Sequence, residues 1–486
     1  MSIHTAIVLP LATLNFAYAG AHEYAYARIG RETAAADREN AIFQARLAKR
    51  CSLLDYADQV QERNGTNIWT IAFQKAIDEN EIVVVPARAE PYFLDGTLRI
   101  RSNRRIEATG ATVRLVDGMR TVMLRNEGTK DGAMEPIPSG ARDSNIAVVG
   151  GRWEDCCTRR AGYGSSGVYD VGARGFGNFL GVSTLFLFNN CDHVSLRSVT
   201  FARCGGFAVQ AGMGDAYLFD GITFDSCFAD GLHLNGGLTR VHARSVRGSV
   251  GDDLLAINAY DWLNSSVTFA PMRFILCEDM ELVGGYPAIR ILPGTYRYPN
   301  GKKVDCSVSD VILRRISGVK TYKIYLQPPS YEIGQAPEWG EIGTGGNIFF
   351  EQLAIDLDKP SDMFDVYMKS DAVRGHFGAF EIGANLSSII FRDIDVTFHA
   401  DRFPLSHLVT VGPKSVQVTA NGKMRELFAP YLSCTVGEIC FANVRFHGVP
   451  PSESVHETRF DDVNGDGHSS GKGVVKNTIG QPDIRR

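Results

Sequence analysis

Along much of this chain apolar and polar residues alternate in short runs, and the runs return at a steady interval. The clearest pair is Asp-Gly-Leu-His-Leu-Asn from Asp230 and Asp-Leu-Leu-Ala-Ile-Asn from Asp253, offset by 23 residues throughout. Sliding one onto the other sets Leu232 on Leu255, His233 on Ala256, Leu234 on Ile257 and Asn235 on Asn258. Side chains alternate across a strand. Leu232, Leu234, Leu255 and Ile257 are therefore expected to face inward, and His233, Asn235, Ala256 and Asn258 outward. Apolar positions recurring at such an offset predict the coils of a parallel β-helix.

The repeat is legible from Leu185, where Val194/Leu196, Val199/Phe201 and Phe207/Val209 predict three strands per turn. Phe207 to Leu232 is 25 residues, and Leu232 to Leu255 is 23. The interval then grows to 34 at Ile289, 35 at Ile324 and 56 at Phe380. Inserted residues must leave a coil as loops, which tend to gather on one face. AYDWLNSS, PGTYRYPNGK and PPSYEIGQAPEWGEIG are thus expected to wall a cleft around Asp230, Asp252 and Asp253.

The ends read differently. Glu32 to Glu62 is rich in Ala, Arg, Glu and Gln and predicts helix within an N-terminal segment, 1–66. NIWTIAFQKAIDENEIVVVPA predicts a helix burying Trp69, Ile71, Phe73 and Ile77, then a strand from Ile82 to Val85. A solenoid needs its first coil covered, and such a helix is a suitable cap. First coils are expected from Tyr92 to Val116, loops and unplaced coils over 119–185, and a β-helix domain over 67–449. The polar, Gly-rich stretch 450–486 reads as an irregular tail. Within it DVNGDG, from Asp462, matches the start of a calcium loop but reaches Gly473 where Glu is needed.

Composition narrows the class. A solenoid lengthens without needing new cores, so 486 residues can form one domain. Fifty Gly, 27 Phe and 22% charged residues fit a turn-rich, well-packed chain. A net charge of −5, without a Lys/Arg run, argues against a nucleic-acid partner. No segment is apolar for long enough to span a membrane as a helix. Thr5 to Ala21 is mostly apolar and ends in Ala-Tyr-Ala-Gly, a leader-like pattern without a preceding basic residue, which favours a secreted or periplasmic place. Asn64, Asn264 and Asn385 begin N-x-S/T triplets, relevant only where glycosylation occurs. Cys204, Cys227, Cys277 and Cys306 recur with the coils and read as stacked buried thiols rather than disulfides.

The chemistry-bearing residues cluster at the clearest repeat. Asp230-Gly231 followed by Gly251-Asp252-Asp253 resembles the acidic motifs of polygalacturonase-type enzymes, glycoside hydrolase family 28 and its relatives. The resemblance implies a right-handed parallel β-helix. It also implies a general acid at Asp252, with Asp230 and Asp253 activating water for inversion. From the residues themselves, crowded carboxyls raise one another's pKa, as acid–base catalysis needs. Alternatively such acids cap their own turns.

Two family motifs are missing: Gly285, Tyr286 and Pro287 stand where the family has Gly-His-Gly, and Tyr322-Lys323-Ile324-Tyr325 replaces its Arg-Ile-Lys strand. Specificity for polygalacturonate therefore does not carry over. The register predicts Arg290 outward over Ala256 and His233, with Tyr325 and Glu381 further along that column and Lys323 one step before Tyr325. Arg290 suits a sugar carboxylate or sulfate, but equally an internal pairing with Glu381 or Asp253. His233, Asn235, Asn258, Tyr286, Arg290, Lys323, Tyr325 and Glu381 are the candidate substrate contacts, with Trp262 and Trp339 as sugar platforms on the loops. Tyr260, Tyr296, Tyr298 and Tyr331 join those platforms or anchor their loops, and Glu338 and Glu341 are reserve acids. No metal or cofactor is expected.

Three functions follow: a glycoside hydrolase on a polysaccharide or oligosaccharide, a uronate lyase or epimerase with Lys323 or Arg290 as base, or a non-catalytic carbohydrate-binding solenoid.

Overall fold

The computed structural model describes the chain from Leu11 to Ile484, except residues 120, 130–139, 160–183, 262–265, 298–299, 326–330, 333–341, 359–375, 413–414, 421–422, 429–432 and 458–471. It is a right-handed parallel β-helix. Among the described residues, eleven strands stack into one parallel sheet, here called the cleft sheet. They are β1 (Leu98–Ile100), β2 (Leu124–Asn126), β3 (Thr184–Asn189), β4 (Phe207–Gly212), β5 (Leu232–Asn235) and β6 (Leu255–Asn258). β7 (Ala288–Ile291), β8 (Thr321–Tyr325), β9 (Phe377–Gly383), β10 (Ser406–Val411) and β11 (Val455–Glu457) complete it.

Among the described residues, a 21-stranded sheet wraps the remaining two sides of each coil, and five further strands form one two-stranded and one three-stranded sheet outside it. Long strands such as Leu238–Val250 and Asn385–His399 run along both sides. One corner between those sides is a residue in the left-handed region, repeated coil after coil: Ser198, Gly221, Ser245, Asp279, Arg315, Gln352, Asp393 and Asn443. The pairing register stacks these eight residues directly upon one another. Non-Gly residues seldom adopt this conformation, so the stacked neighbours hold each corner in place.

The clearest repeat is paired as its sequence predicts. Leu232, His233, Leu234 and Asn235 lie against Leu255, Ala256, Ile257 and Asn258. The four inward residues are fully buried. One interval differs, because Val209 rather than Phe207 pairs with Leu232, making that coil 23 residues as well. The thiols of Cys204 and Cys227 adjoin, but Cys277 lies between Ala243 and Leu313, and Cys306 belongs to a hairpin. All ten cysteines are free.

The ends depart further from expectation. The cap is helix α2 (Thr70–Glu79), preceded by Trp69, with Ala72, Phe73, Ala76 and Ile77 buried. Ile71 is 47% exposed, since it lies on the opposite side of that helix from Phe73 and Ile77. Strand Ile82–Val84 follows. The predicted helix from Glu32 to Glu62 is instead the end of a 35-residue helix, α1 (Leu11–Ala45), followed by strand Arg50–Ser52 and a 3-10 turn. Residues 450–486 carry β11 and strands Gly473–Ile479 and Asp483–Ile484, which continue the ladders. The calcium-like motif lies outside the described residues.

Helix α1 is a strap across the strands rather than a cap. His22 meets Glu438, Asp37 meets His242, Asn40 donates to the Ala216 carbonyl and Gln44 to Asn145, so the helix runs from the last coils back toward the first. A helix rises about 1.5 Å per residue and strands stack about 4.8 Å apart. Roughly three residues therefore span one rung. Ile29, Thr33, Ala36 and Asn40 form its buried stripe. Ile29 closes an outward apolar cluster of Phe274, Leu276, Ile312, Phe349 and Ile390.

Replacing Ile29 by Ala should lower stability by ~2–5 kcal/mol, the cost of an emptied apolar site. Tyr24→Ala, at a position 64% exposed on the same helix, should cost under ~0.5 kcal/mol. Thermal unfolding of both variants checks this; equal midpoints would refute the strap's packing role.

Candidate active site

The outward column of the cleft sheet runs Gln210, His233, Ala256, Arg290, Lys323, Glu381, Thr410 and His456 from β4 to β11. Tyr325 is not in it; it pairs with Gly383, and Lys323 holds the position next to Arg290. The cause is a two-residue ambiguity, because Ile324 stacks on Ile291 and not on Ile289. Most of this outward column is nonetheless buried, with His233 1%, Lys323 4% and Glu381 2% exposed, so the sheet face is a covered floor.

Asp230 and Asp253 stand just before β5 and β6, and Asp252 adjoins. One oxygen of each carboxyl lies within 4.8 Å of the other two. The glycines beside them are required by close approach. A Cβ on Gly231 would come within 2.5 Å of the Phe224 ring, and one on Gly251 within 2.4 Å of the Phe228 carbonyl oxygen. The amide of Asp253 donates to Asp230 Oδ1 at 3.2 Å, tying the two acids across the rung.

Access differs among the three. The side chain of Asp252 keeps 15% of its surface, against 5% for Asp230 and none for Asp253. Burial, and then the charge of Asp252, raise the pKa of Asp230. Burial pushes Asp253 well above the usual carboxylate range, against the pull of Arg290. Neither oxygen of Asp253 accepts a hydrogen bond among the described residues.

Arg290 bridges the acids. Its Nη2 donates to Asp252 Oδ1 at 2.5 Å, and its Nε lies 2.7 Å from Asp253 Oδ2. That second N–H is not aimed at the oxygen, so the contact is an ion pair rather than a formed hydrogen bond. Of the pairings expected for Arg290, the one with Asp253 is therefore realised, extended to Asp252.

Behind Asp230 lies a second layer. The His233 ring stacks on Phe207 with centroids 3.9 Å apart, its Nδ1 is 2.6 Å from Asp230 Oδ2, and its Nε2 is 3.3 Å from Asp261 Oδ2. Burial disfavours a charged imidazole, yet the hydrogen bonds to Asp230 and Asp261 outweigh it and push His233 up to about 9. Asn258 donates to Asp261 at 2.8 Å, while Asn235 Oδ1 accepts from Gln210 and from the Val267 amide. Both Asn residues are buried and brace the loop after β6, so they hold the site rather than line it. Asp261, Phe207 and Gln210 were not among the expected site residues; Gln210 was within reach of the register, being one 23-residue step before His233.

Lys323 Nζ donates to Tyr286 Oη at 2.8 Å, two rungs from Asp253. Tyr260 and Tyr296 both pack on Phe269, the latter stacked at 4.5 Å, so both anchor their loops. Trp262, Tyr298, Trp339, Glu338 and Glu341 lie outside the described residues.

No protein-family model matches the chain, and no curated protein matches its sequence. Solved structures of similar shape do occur. An exopolygalacturonase from Thermotoga maritima is 12% identical, with 81% of this chain and 98% of that one covered at a TM-score of 0.44. An endo-xylogalacturonan hydrolase from Aspergillus tubingensis is 12% identical, covering 84% and 95% at 0.46. The Streptococcus pneumoniae surface adhesin PfbA is 12% identical, covering 90% and 100% at 0.37. Likeness at this level carries neither reaction nor substrate.

The raised pKa of His233 has a sign that can be measured. Its proton stabilises the fold fully below the free value of about 6.5, and that stability is lost as pH rises through about 9. Wild-type protein should lose about 3 kcal/mol across this window from His233. Asp261→Asn should flatten the slope in denaturant titrations; an unchanged slope would show that the pairing does not set the titration.

Proposed function

We propose that the chain is a glycoside hydrolase, cleaving a polysaccharide or oligosaccharide at the cleft sheet. The observation that carries this reading is the grouping of three carboxyls, one of them fully buried and without a hydrogen bond among the described residues, with an arginine shared by two of them. Burying an unsatisfied carboxyl lowers stability, and such groups concentrate at functional sites.

Asp252 is the proton donor to the leaving oxygen, because it alone of the three keeps appreciable access to the cleft. Asp230 or Asp253 acts opposite it, as the nucleophile or as the base that activates water. Arg290 offsets the like charges and fixes the orientation of Asp252. The substrate is a glycan.

The inverting course implied by the motif resemblance does not fit the spacing. Inversion leaves a water between acid and base at roughly 6.5–9.5 Å, whereas these carboxyl oxygens approach within 4.8 Å. Hydrolysis is therefore proposed without inversion as part of it.

One contact favours a second reading, a uronate lyase or epimerase. The Lys323–Tyr286 pair places a basic side chain against a phenol near the acids, as proton abstraction beside a carboxylate requires. Arg290 is less suited as base, being held by two aspartates.

The test is product formation from a panel of acidic and neutral glycans, reading reducing ends and the ultraviolet absorbance of unsaturated sugars together. The hydrolase reading predicts reducing ends without absorbance, and a loss of about 10²–10⁴ in Asp252→Asn. Absorbance abolished by Lys323→Ala would favour the lyase. Glycan binding without cleavage, unchanged in Asp252→Asn, would favour a non-catalytic solenoid.

A further inference from the structure

Four rungs beyond the strand that follows Asp253, roughly 19 Å along the same sheet, three histidines from distant parts of the chain converge. His376 precedes β9, His407 lies in β10 beside Gly378, and His456 lies in β11 beside Thr410. One ring nitrogen of each is within 4.8 Å of those of the other two. The rings are nearly parallel, with His376 and His456 centroids 3.8 Å apart and His407 and His456 4.7 Å apart. His407 is 1% exposed and the other two are half-buried.

The far side of the cluster fixes which nitrogens converge. His407 Nδ1 is 3.1 Å from the Glu453 carbonyl oxygen, and His456 Nδ1 is 2.5 Å from the Glu453 carboxylate. Each such contact calls for a proton on Nδ1 and leaves Nε2 as the nitrogen that carries the lone pair. His376 Nδ1 completes the group, 2.8 Å from His407 Nε2. A carboxylate or carbonyl behind each imidazole is the usual outer partner of a metal-bound histidine, because it sets tautomer and ring direction. One residue, Glu453, serves two rings here.

We propose that His376, His407 and His456 bind one divalent transition-metal ion of the zinc class, with Glu453 as positioning residue. Three neutral imidazoles suit Zn²⁺, Co²⁺ or Cu²⁺ and not Ca²⁺ or Mg²⁺, which take oxygen ligands. Nitrogens on a tetrahedral ion stand about 3.3 Å apart, given bond lengths near 2.05 Å. The His376–His407 pair reaches that spacing by opening about half an ångström. Three protein ligands leave a fourth position for water or a substrate oxygen. In the fold the ion pins β11 and the entry to β9 onto β10, at the distal end of the proposed cleft. This site is independent of the hydrolase reading, since none of its residues touches the three aspartates.

The test uses the full chain without a histidine tag, stripped by a chelator and dialysed against Co²⁺ or Zn²⁺. Metal content and the visible ligand-field spectrum of Co²⁺ are read, so the result does not depend on turnover. One equivalent per chain with a four- or five-coordinate Co²⁺ spectrum is expected. His376→Ala and His456→Ala, at half-buried positions that should leave the circular dichroism unchanged, should abolish that spectrum. Glu453→Gln should weaken binding by about 10-fold or more. No uptake by the wild-type chain, or the same spectrum in the His376→Ala/His456→Ala double variant, would overturn the proposal. The second outcome would move the ion to another donor set, such as His22, Glu438 and Cys440.

Discussion

In a parallel ladder every residue sits about 4.8 Å from its counterpart one coil away, and side chains on a shared face cannot move apart along the axis. Whatever charge one coil presents, the next must tolerate. Asp230 and Asp253 are such counterparts, and Asp252 crowds them further. Left alone, three crowded carboxylates, two of them buried, would repel one another and lose hydration. The surrounding column supplies the compensation: His233, held charged by Asp230 and Asp261, lies on one side, and Arg290, shared by Asp252 and Asp253, on the other. The cluster is still imperfectly satisfied, since burial dominates at Asp253. That residual strain is what separates this group from an ordinary surface network.

The same spacing governs the opposite side of the molecule. Because about three helical residues match one rung, α1 can offer each coil one side chain in turn, from His22 at Glu438 to Gln44 at Asn145. Its buried stripe includes Asn40, which donates to the Ala216 carbonyl of the sheet, and Thr33, whose hydroxyl donates back to the Ile29 carbonyl of its own helix. The metal site proposed at His407 uses the ladder in the same way, bringing residues 376, 407 and 456 onto adjacent rungs of β9 to β11.

What could be read from the sequence follows from these constraints. The pairing of β5 with β6 was legible because both strands carry the same alternation opened by Asp, and a one-residue slip would turn Leu232 and Leu234 outward. Two-residue slips keep the facing and so leave no trace in hydrophobicity. For that reason Tyr325 was placed where Lys323 stands, and Phe207 where Val209 stands. The strap was illegible for another reason: Thr and Asn on its buried face erase the period-3.6 signal. Corners such as Arg315 and Gln352 carry none of the usual left-handed preference, so only their stacked neighbours reveal them. At the site, the aspartates and Arg290 were found from spacing. The burial that makes Asn235 and Asn258 braces depends on loops whose return path no local pattern encodes.

In the proposed reaction, Asp252 gives a proton to a departing sugar oxygen. That transfer is tested most directly by comparing Asp252→Asn with wild type on the natural linkage and on an aryl glycoside of the same sugar whose leaving group needs no proton. A loss of about 10²–10⁴ on the natural linkage is expected, with near-normal turnover of the activated substrate. An equal loss on both would contradict it, leaving Asp252 a role in binding or in holding Arg290 rather than in proton transfer.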